Sequence, residues 1–261
     1  MICVKELSAF LNTCAPYSTQ CGWDNSGMLI GDPEKAVACA AFALDLTNRT
    51  LALAKEAGAD VLVTHHPVIF HAKKNLLTGD PVYALCQSGL AAISVHTPWD
   101  CAQGGVNDVL CDLLGLENVR EIPSDETPVP MARIGEVAPC SPEQFAKKVA
   151  AALGTTVQLA PGKDEIRTVA LCGGAGMDFF FDAVSLGADA YLTGEAKHHE
   201  LLLAADCGKT LVVGGHFATE APSMEALRQK VQTAFPALRT VLLDQPYPVQ
   251  FIAAEGETHG A

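Results

Sequence analysis

The sequence has few positive charges, and none of them forms a long run. Lysine and arginine number 17 against 30 acidic residues, so the 261-residue chain has a formal net charge of -13. The longest basic runs are the pairs Lys73-Lys74 and Lys147-Lys148. Because a strongly acidic surface repels phosphate backbones and anionic lipids, we expect neither a nucleic-acid partner nor a membrane partner.

Long apolar runs and paired cysteines are also absent. No uninterrupted apolar stretch approaches the roughly 20 residues that cross a bilayer, and the segment from Met1 to Leu7 lacks the features of a secretory signal. The ten cysteines contain no Cys-x-x-Cys pair. We therefore expect a cytoplasmic protein with free thiols that pack as small hydrophobic side chains.

Helix and strand signals alternate along the chain, which predicts an α/β fold. Hydrophobic residues make up 49% of the chain and charged residues 18%, as is typical of a compact globular protein. Helices are predicted over 4–14, 48–56, 141–153 and 178–186, and strands over 36–46, 61–63, 91–95 and 168–171. The proline-containing region 118–144 predicts a linker with an edge strand around 131–137. The small polar tail from Ala253, which contains His259, is expected to be frayed.

The two halves of the chain repeat one pattern. The segment from Gly58 to Thr64 resembles the segment from Gly187 to Thr193. After each, a second apolar strand ends in a histidine that precedes a carboxylate by four residues, His96 with Asp100 in the first half and His216 with Glu220 in the second. An internal duplication explains these parallels.

Histidines and carboxylates cluster where these predicted strands end. The clusters are His65-His66, His96 with Asp100, Glu195 with His198 and His199, and His216 with Glu220. Imidazole and carboxylate groups are ligands of divalent metals. Just past a strand end, the chain can turn so that both rings of a His-His doublet reach neighbouring points, as a two-metal site about 3.5–4 Å across requires. The clusters therefore predict a metal site.

Simpler interpretations of these residues stay open. The doublet could be a polar turn before Pro67. Thr97, Pro98 and Asp100 also fit the cap, first position and first-turn acid of a helix, and Glu220 precedes another predicted helix. Because both repeats place a histidine four residues before a carboxylate at the same point, metal ligation is favoured over two independent caps.

Two further segments carry weaker signals. Gly173-Gly174-Ala175-Gly176 lies between a strand and a helix but lacks a complete phosphate-loop or dinucleotide pattern. It predicts a tight turn with exposed amides. Trp23-Asp24-Asn25-Ser26-Gly27 predicts a polar turn, and its spacing alone indicates no chemistry.

Five ordered motifs together resemble the Nif-three-like dinuclear metal centre family, also labelled GTP cyclohydrolase 1 type 2 homologues. They are Trp23-Asp24-Asn25-Ser26-Gly27, Thr64-His65-His66-Pro67, His96-Thr97-x-x-Asp100 with Gly104-Gly105-Val106-Asn107-Asp108, Thr193-Gly194-Glu195 with His199, and Gly215-His216-x-x-x-Glu220. The resemblance spans essentially the whole chain. It implies two intertwined, duplicated three-layer α/β/α repeats with mixed sheets, 1–125 and 126–261, a metal cleft between them, and a ring-shaped homohexamer.

The resemblance also implies residue roles. His65 and His216 would hold one metal ion, His66 and Asp100 the other, and Glu220 would bridge both. His96 would be an auxiliary group, and Glu195 and His199 would line the cavity. Pro98-Trp99 stands where many relatives have Asn-Leu, and Met28 where Leu is usual, which changes the pocket wall more than the ligands.

The family label implies a metal-dependent hydrolase resembling GTP cyclohydrolase 1 type 2. It would use a metal-activated water on a small anionic substrate, although no base-reading or triphosphate-binding motif occurs in the sequence. The same ligands would also serve a metal-ion carrier, or a ring-shaped scaffold with structural metals. Mixed histidine and carboxylate ligation suits Zn, Fe, Mn or Co as the two divalent ions.

Overall fold

The computed structural model describes residues 2–162, 165–250 and 252. The predicted frayed tail from Ala253, with His259, lies outside these residues. The strands are β1 (Ile2–Cys3), β2 (Gly27–Ile30), β3 (Ala36–Val37), β4 (Cys39–Ala43), β5 (Val61–Thr64), β6 (Ala91–Ser94), β7 (Glu117–Glu121), β8 (Arg133–Cys140), β9 (Gln158–Ala160), β10 (Ile166–Cys172), β11 (Ala190–Thr193), β12 (Thr210–Val213) and β13 (Arg239–Leu242). The helices are α1 (Val4–Cys14), α2 (Asn48–Glu56), α3 (Pro81–Ser88), α4 (Thr97–Cys101), α5 (Val106–Leu113), α6 (Pro142–Leu153), α7 (Phe180–Ser185), α8 (His198–Asp206), α9 (His216–Glu220) and α10 (Pro222–Ala234). Among the helices described, none combines the length and the apolar character needed to cross a bilayer.

The first sheet has the strand order β13-β4-β5-β6-β2. Its first four strands are parallel, and β2 is antiparallel to β6. Because successive side chains of a strand point to opposite faces, Phe42 and Val63 pack on the side of α1 and α10, whereas Ala41 and Leu62 pack on the side of α2 and α3. The result is a helix layer on each face of the sheet.

The second sheet has the order β7-β8-β10-β11-β12-β9. Its centre, β10-β11-β12, is parallel, as β4-β5-β6 is in the first sheet, and the outer strands are antiparallel to their neighbours. Tyr191 packs with residues of α7 and α8 on one face, and Leu192 packs with residues of α5 and α6 on the other. The two halves therefore share one three-layer arrangement.

Each sheet also takes elements from the other half of the chain. The strand β13 and the helix α10 come late in the sequence but belong to the first sheet and its core. Conversely, β7 pairs within the second sheet and α5 packs on it. The predicted intertwined α/β fold with mixed sheets is confirmed, whereas the boundary between residues 125 and 126 stays a prediction.

The connection between the halves differs from its prediction. The strand expected at the sheet edge around 131–137 is β8, which lies between β7 and β10. The edge is formed instead by β7, most of which falls in the region predicted as a linker. All five residues of β7 are exposed, so this strand lacks the apolar alternation by which a half-buried strand is recognised.

Candidate metal centre

All five predicted ligands converge at one place in the fold. His65 and His66 directly follow β5, Asp100 lies on α4, and His216 and Glu220 begin and end α9. His66 Nε2 lies 3.2 Å from His216 Nε2, and each of these atoms lies 3.1 Å from Glu220 Oε2. His65 Nε2 lies 3.5 Å from Asp100 Oδ1 and 3.8 Å from Glu220 Oε1. The two groups share Glu220, and each could hold a metal ion.

This grouping differs from the pairing that the resemblance implied. His66 lies with His216, and His65 lies with Asp100. The reason is the direction of the two rings beyond β5: His65 is fully buried, whereas the side chain of His66 is 25% exposed and faces α9 across the cleft. These distances do not favour the expected pairing of His65 with His216 and of His66 with Asp100, and the assignment of ligands to each ion stays a prediction.

Each histidine of the cleft turns its Nδ1 atom away from the centre and its Nε2 atom toward it. The Nδ1 partners are the Val95 carbonyl for His65 at 3.0 Å, Asp45 for His66 at 2.6 Å, Asp24 for His96 at 2.8 Å and Glu195 for His216 at 2.9 Å. Because a carbonyl or an ionised carboxylate only accepts hydrogen bonds, Nδ1 donates in each pair. With Nδ1 donating, Nε2 is the nitrogen that offers a lone pair once the ring is neutral, which is the usual arrangement behind metal-ligating histidines.

The burial of the donor atoms fits a cation better than an empty polar cluster. Asp100 and Glu220 are 8% and 4% exposed. Within the part of the chain that the structure describes, the buried His65 Nε2 and Glu220 Oε2 atoms have no hydrogen-bond partner, although unpaired buried polar atoms are costly. Two imidazole nitrogens bound to one tetrahedral zinc ion would be about 3.3 Å apart, close to the spacing of His66 and His216.

The ionisation of the centre is uneven. Burial lowers the pKa of His65 to about 4. Burial and the charge of Glu220 raise the pKa of Asp100 well above its ordinary value. Glu220 is also buried, but the positive charge of its histidine neighbours outweighs that burial and holds its pKa well below the ordinary value. Glu220 is thus the ionised carboxylate at the middle of the cluster.

The segment from Trp23 to Gly27 orients the ring of His96 through a hydrogen bond to Asp24. Asp24 accepts hydrogen bonds from His96 Nδ1, from the backbone N–H groups of Asn25 and Thr97, and from the hydroxyls of Ser26 and Thr97. Burial alone would raise the pKa of Asp24, but these bonds outweigh it and hold the pKa at about 2. Spacing did not reveal this role, and only the resemblance singled out the segment.

Asp45 is a second residue that the sequence analysis missed. It follows β4 and accepts the Nδ1 hydrogen of His66 through Oδ1. Its Oδ2 accepts a 2.7 Å hydrogen bond from Gln245 Nε2, and Gln245 Oε1 accepts from the backbone N–H groups of Leu44 and Asp45. Burial disfavours a charged His66, but the bond to Asp45 and the neighbouring Glu220 raise its pKa to about 10.

The helix-start interpretation is wrong in one respect, because Thr97 is not the cap residue, but Asp100 does lie in the first turn of α4 as that interpretation expected. The helix α4 begins at Thr97 with His96 as the cap residue, and no side chain caps its first turn. The Thr97 hydroxyl donates to Asp24 instead. Asp100 lies in the cluster, where its oxygen faces His65.

The residues with predicted auxiliary roles differ in their exposure and in their position relative to the cavity. His96 lines the cavity and forms a further possible ligand group with His65 and His66. Glu195 is exposed, but its carboxylate accepts a hydrogen bond from the Nδ1 atom of His216. His198 and His199 are both exposed on the first turn of α8, and neither is among the residues that line the cavity.

The glycine-rich turn closes the centre from one side. Gly173, Gly174 and Gly176 donate their amide hydrogens to the side chains of Asn107, Thr219 and Thr193 respectively. The predicted tight turn is present, but these three amides are satisfied internally rather than exposed, so they are not free to bind phosphate.

A cavity of about 370 Å³ opens over the cluster. Its wall includes the candidate ligands His66, His96, Asp100, His216 and Glu220, the aromatic residues Trp23, Phe70 and Phe179, and the acidic residues Glu126 and Asp178. Pockets of this size accommodate small molecules. The candidate metal centre is therefore accessible to a ligand.

Known proteins are similar to this chain in sequence and in fold. The chain is 32% identical over 240 residues to a GTP cyclohydrolase 1 type 2 homolog of Clostridium perfringens, covering 88% of this chain and 91% of the relative. It superimposes on Staphylococcus aureus protein SA1388 with a TM-score of 0.84 at 25% identity, covering 96% of this chain and 99% of that one. A Bacillus cereus protein related to NIF3 shares the fold with a TM-score of 0.86 at 21% identity, with the same coverage of 96% and 99%. The family model Duf34/NIF3 (NGG1p interacting factor 3) matches residues 2–248, and the chain belongs to this family.

Proposed function

We propose that the protein is a metal-dependent hydrolase with a dinuclear centre. His66 and His216 would hold one divalent ion, His65 and Asp100 the other, and Glu220 both. The observation that carries the proposal is the convergence of imidazole Nε2 atoms on a buried Glu220 oxygen beneath an open cavity. Zn, Fe, Mn and Co all suit this donor set.

The open cavity favours a reactive centre over a structural one. Two bound ions would supply Lewis acidity for hydrolysis, since they lower the pKa of water and stabilise developing negative charge. Five protein side chains for two ions leave coordination positions open, unlike the closed shell of a structural zinc site. Asp45 and Glu195 orient two of the imidazoles, and the buried Asp100 and Glu220 limit the net charge of the loaded centre.

The name of the Clostridium perfringens relative supports guanine compounds as the first substrates to test. We expect the metal-reconstituted protein to open the imidazole ring of GTP, GMP or guanosine, and His66→Ala to lose at least about 100-fold of this activity, because outer supports alone are worth about 10–100-fold. His199→Ala, in which the same residue type is removed from an exposed position, is the matched control. Equal, negligible turnover of all three compounds by wild type and His66→Ala would overturn the cyclohydrolase proposal.

Gln245 is expected to increase the affinity of the site for the metal ion held by His66. Replacing it by leucine removes the hydrogen bond that orients Asp45, so affinity at one of the two metal positions should fall by about 10–100-fold. Cobalt titration against a competing chelator, followed through the visible spectrum, measures both positions. Gln229→Leu, which removes an exposed glutamine bonded to Glu225, is the control. Two unchanged affinities would show that Gln245 does not act through Asp45.

A metal carrier is the second candidate function. It is favoured by one observation: the side chains of His216 and Glu195 are 31% and 60% exposed, which leaves one edge of the centre open to an acceptor. Rapid metal transfer to an acceptor, without turnover of any tested substrate, would favour this function over hydrolysis. The ring-shaped homohexamer stays a prediction from the family resemblance, and the cytoplasmic location stays a prediction from the sequence.

A further inference from the structure

We propose that the cavity binds an uncharged planar nitrogen heterocycle, as a free base or nucleoside, against an aromatic platform formed by Trp23 and Phe70. The proposal rests on the proposed function, because the bound ring would lie beside the proposed metal centre. It differs from the small anionic substrate that the family label implies.

The platform is an exposed aromatic surface at the cavity wall. Trp23 is 58% exposed and Phe70 is 39% exposed, although both line the cavity. Their ring centroids lie 5.9 Å apart, and each ring also packs against His96, at 5.7 Å from Trp23 and 5.9 Å from Phe70. Large aromatic side chains left in water beside polar groups are typical of a ligand site.

Hydrogen bonds hold the two halves of the platform in place. The neighbour of Trp23, Asp24, is fixed by His96 and Thr97. Asn25 Nδ2 donates a 2.6 Å hydrogen bond to the carbonyl of Ile69, which precedes Phe70. The relative position of the rings therefore depends on this bond as well as on ring contact. Such a surface is formed in advance of binding, which reduces the entropy lost when a ligand stacks on it.

The charge of the wall selects against a phosphate chain. Of the described residues that line the cavity, none is a lysine or an arginine. The wall carries Glu126 and Asp178 in addition to the carboxylates of the centre, and the positive charge on its described residues is confined to the histidines of the centre. Carboxylates accept hydrogen bonds from ring N–H and amino groups, whereas they repel a triphosphate. The amides of Gly173, Gly174 and Gly176 in the nearby glycine-rich turn are already donated inward, so these three add no contact to a phosphate.

The test measures binding of guanosine, adenosine and GTP to the full-length protein by isothermal titration calorimetry. The protein is used as purified and after removal of metals by a chelator, because GTP phosphates can bind metal ions directly. We expect both nucleosides to bind the chelated protein at least tenfold more tightly than GTP does. Trp23→Ala should weaken nucleoside binding by about 5- to 100-fold, the range measured for loss of base stacking.

Two further variants serve as controls. Trp23→Phe keeps an aromatic face and should retain most of the affinity. Phe181→Ala removes an exposed aromatic ring that does not line the cavity and should leave nucleoside binding unchanged. Tighter binding of GTP than of guanosine by the chelated protein, equal binding by Trp23→Ala and wild type, or no nucleoside binding at all would each overturn the proposal. Trp23-dependent nucleoside binding without any hydrolysis would support it while the hydrolase proposal failed.

Discussion

Replacing Glu220 by glutamine is expected to prevent the binding of both metal ions. Glu220 is the one residue shared by the two opposed ligand groups, with Oε1 facing His65 and Oε2 facing His66 and His216. Glutamine has the same size but lacks the negative charge, and it would present an amide hydrogen to at least one group. We expect the affinity for both ions to fall by more than about 100-fold, beyond the usual effect of losing an outer-sphere group.

Metal content after dialysis and titration against a chelator measure this effect directly. Glu225→Gln on α10 is the control, because Glu225 pairs with Arg228 outside the centre. Circular dichroism of both variants checks that the fold is retained, as expected for an isosteric change. Retention of two equivalents of metal at wild-type affinity by Glu220→Gln would place any metal site elsewhere. Loss of only one equivalent would mean that Glu220 serves a single ion rather than bridging two.

The positions of the ligands were predictable because strand ends and motifs are local features. The apolar runs that precede His65 and His96 indicate buried strands, and both strands occur as β5 and β6. The helices α1 and α2 have the predicted bounds because their apolar spacing is clear. The internal repeat then indicated that His216 and Glu220 occupy the equivalent place in the second half.

The supporting residues were not predictable in the same way. Asp24 lies 72 residues before His96, and Asp45 lies 21 residues before His66. Neither separation follows a helical or strand period, so only the folded chain brings these groups together. The grouping of the ligands also depended on tertiary structure. The packing of α9 against the first repeat brings His216 and Glu220 to the side of His66 that faces the cleft. The pairing of β13 with β4 was not predictable either, because these two strands are far apart in the sequence.

Gly174→Ala is expected to disrupt the centre without replacing any of the proposed ligands. Gly174 has a φ of +60°, and a Cβ atom there would lie 2.2 Å from Glu220 Oε1 and 3.4 Å from His216 Nε2. Because Glu220 is buried among histidines, its carboxylate cannot move aside and still face both ligand groups. We expect metal affinity to fall by at least about 10–100-fold, together with about 1–2 kcal/mol of stability from the left-handed backbone.

Gly154→Ala separates these two effects. Gly154 ends α6 with a φ of +62°, and a Cβ atom there would meet nothing within 4 Å. The two variants therefore share the backbone cost, which thermal unfolding of the metal-free proteins measures, and only Gly174→Ala adds the collision with Glu220. If both variants bound metal like wild type, the carboxylate of Glu220 would have to be displaceable without loss of coordination, and its proposed bridging position would be wrong. If metal binding fell equally in both, the loss would come from general destabilisation rather than from the contact between the glycine-rich turn and the bridging carboxylate.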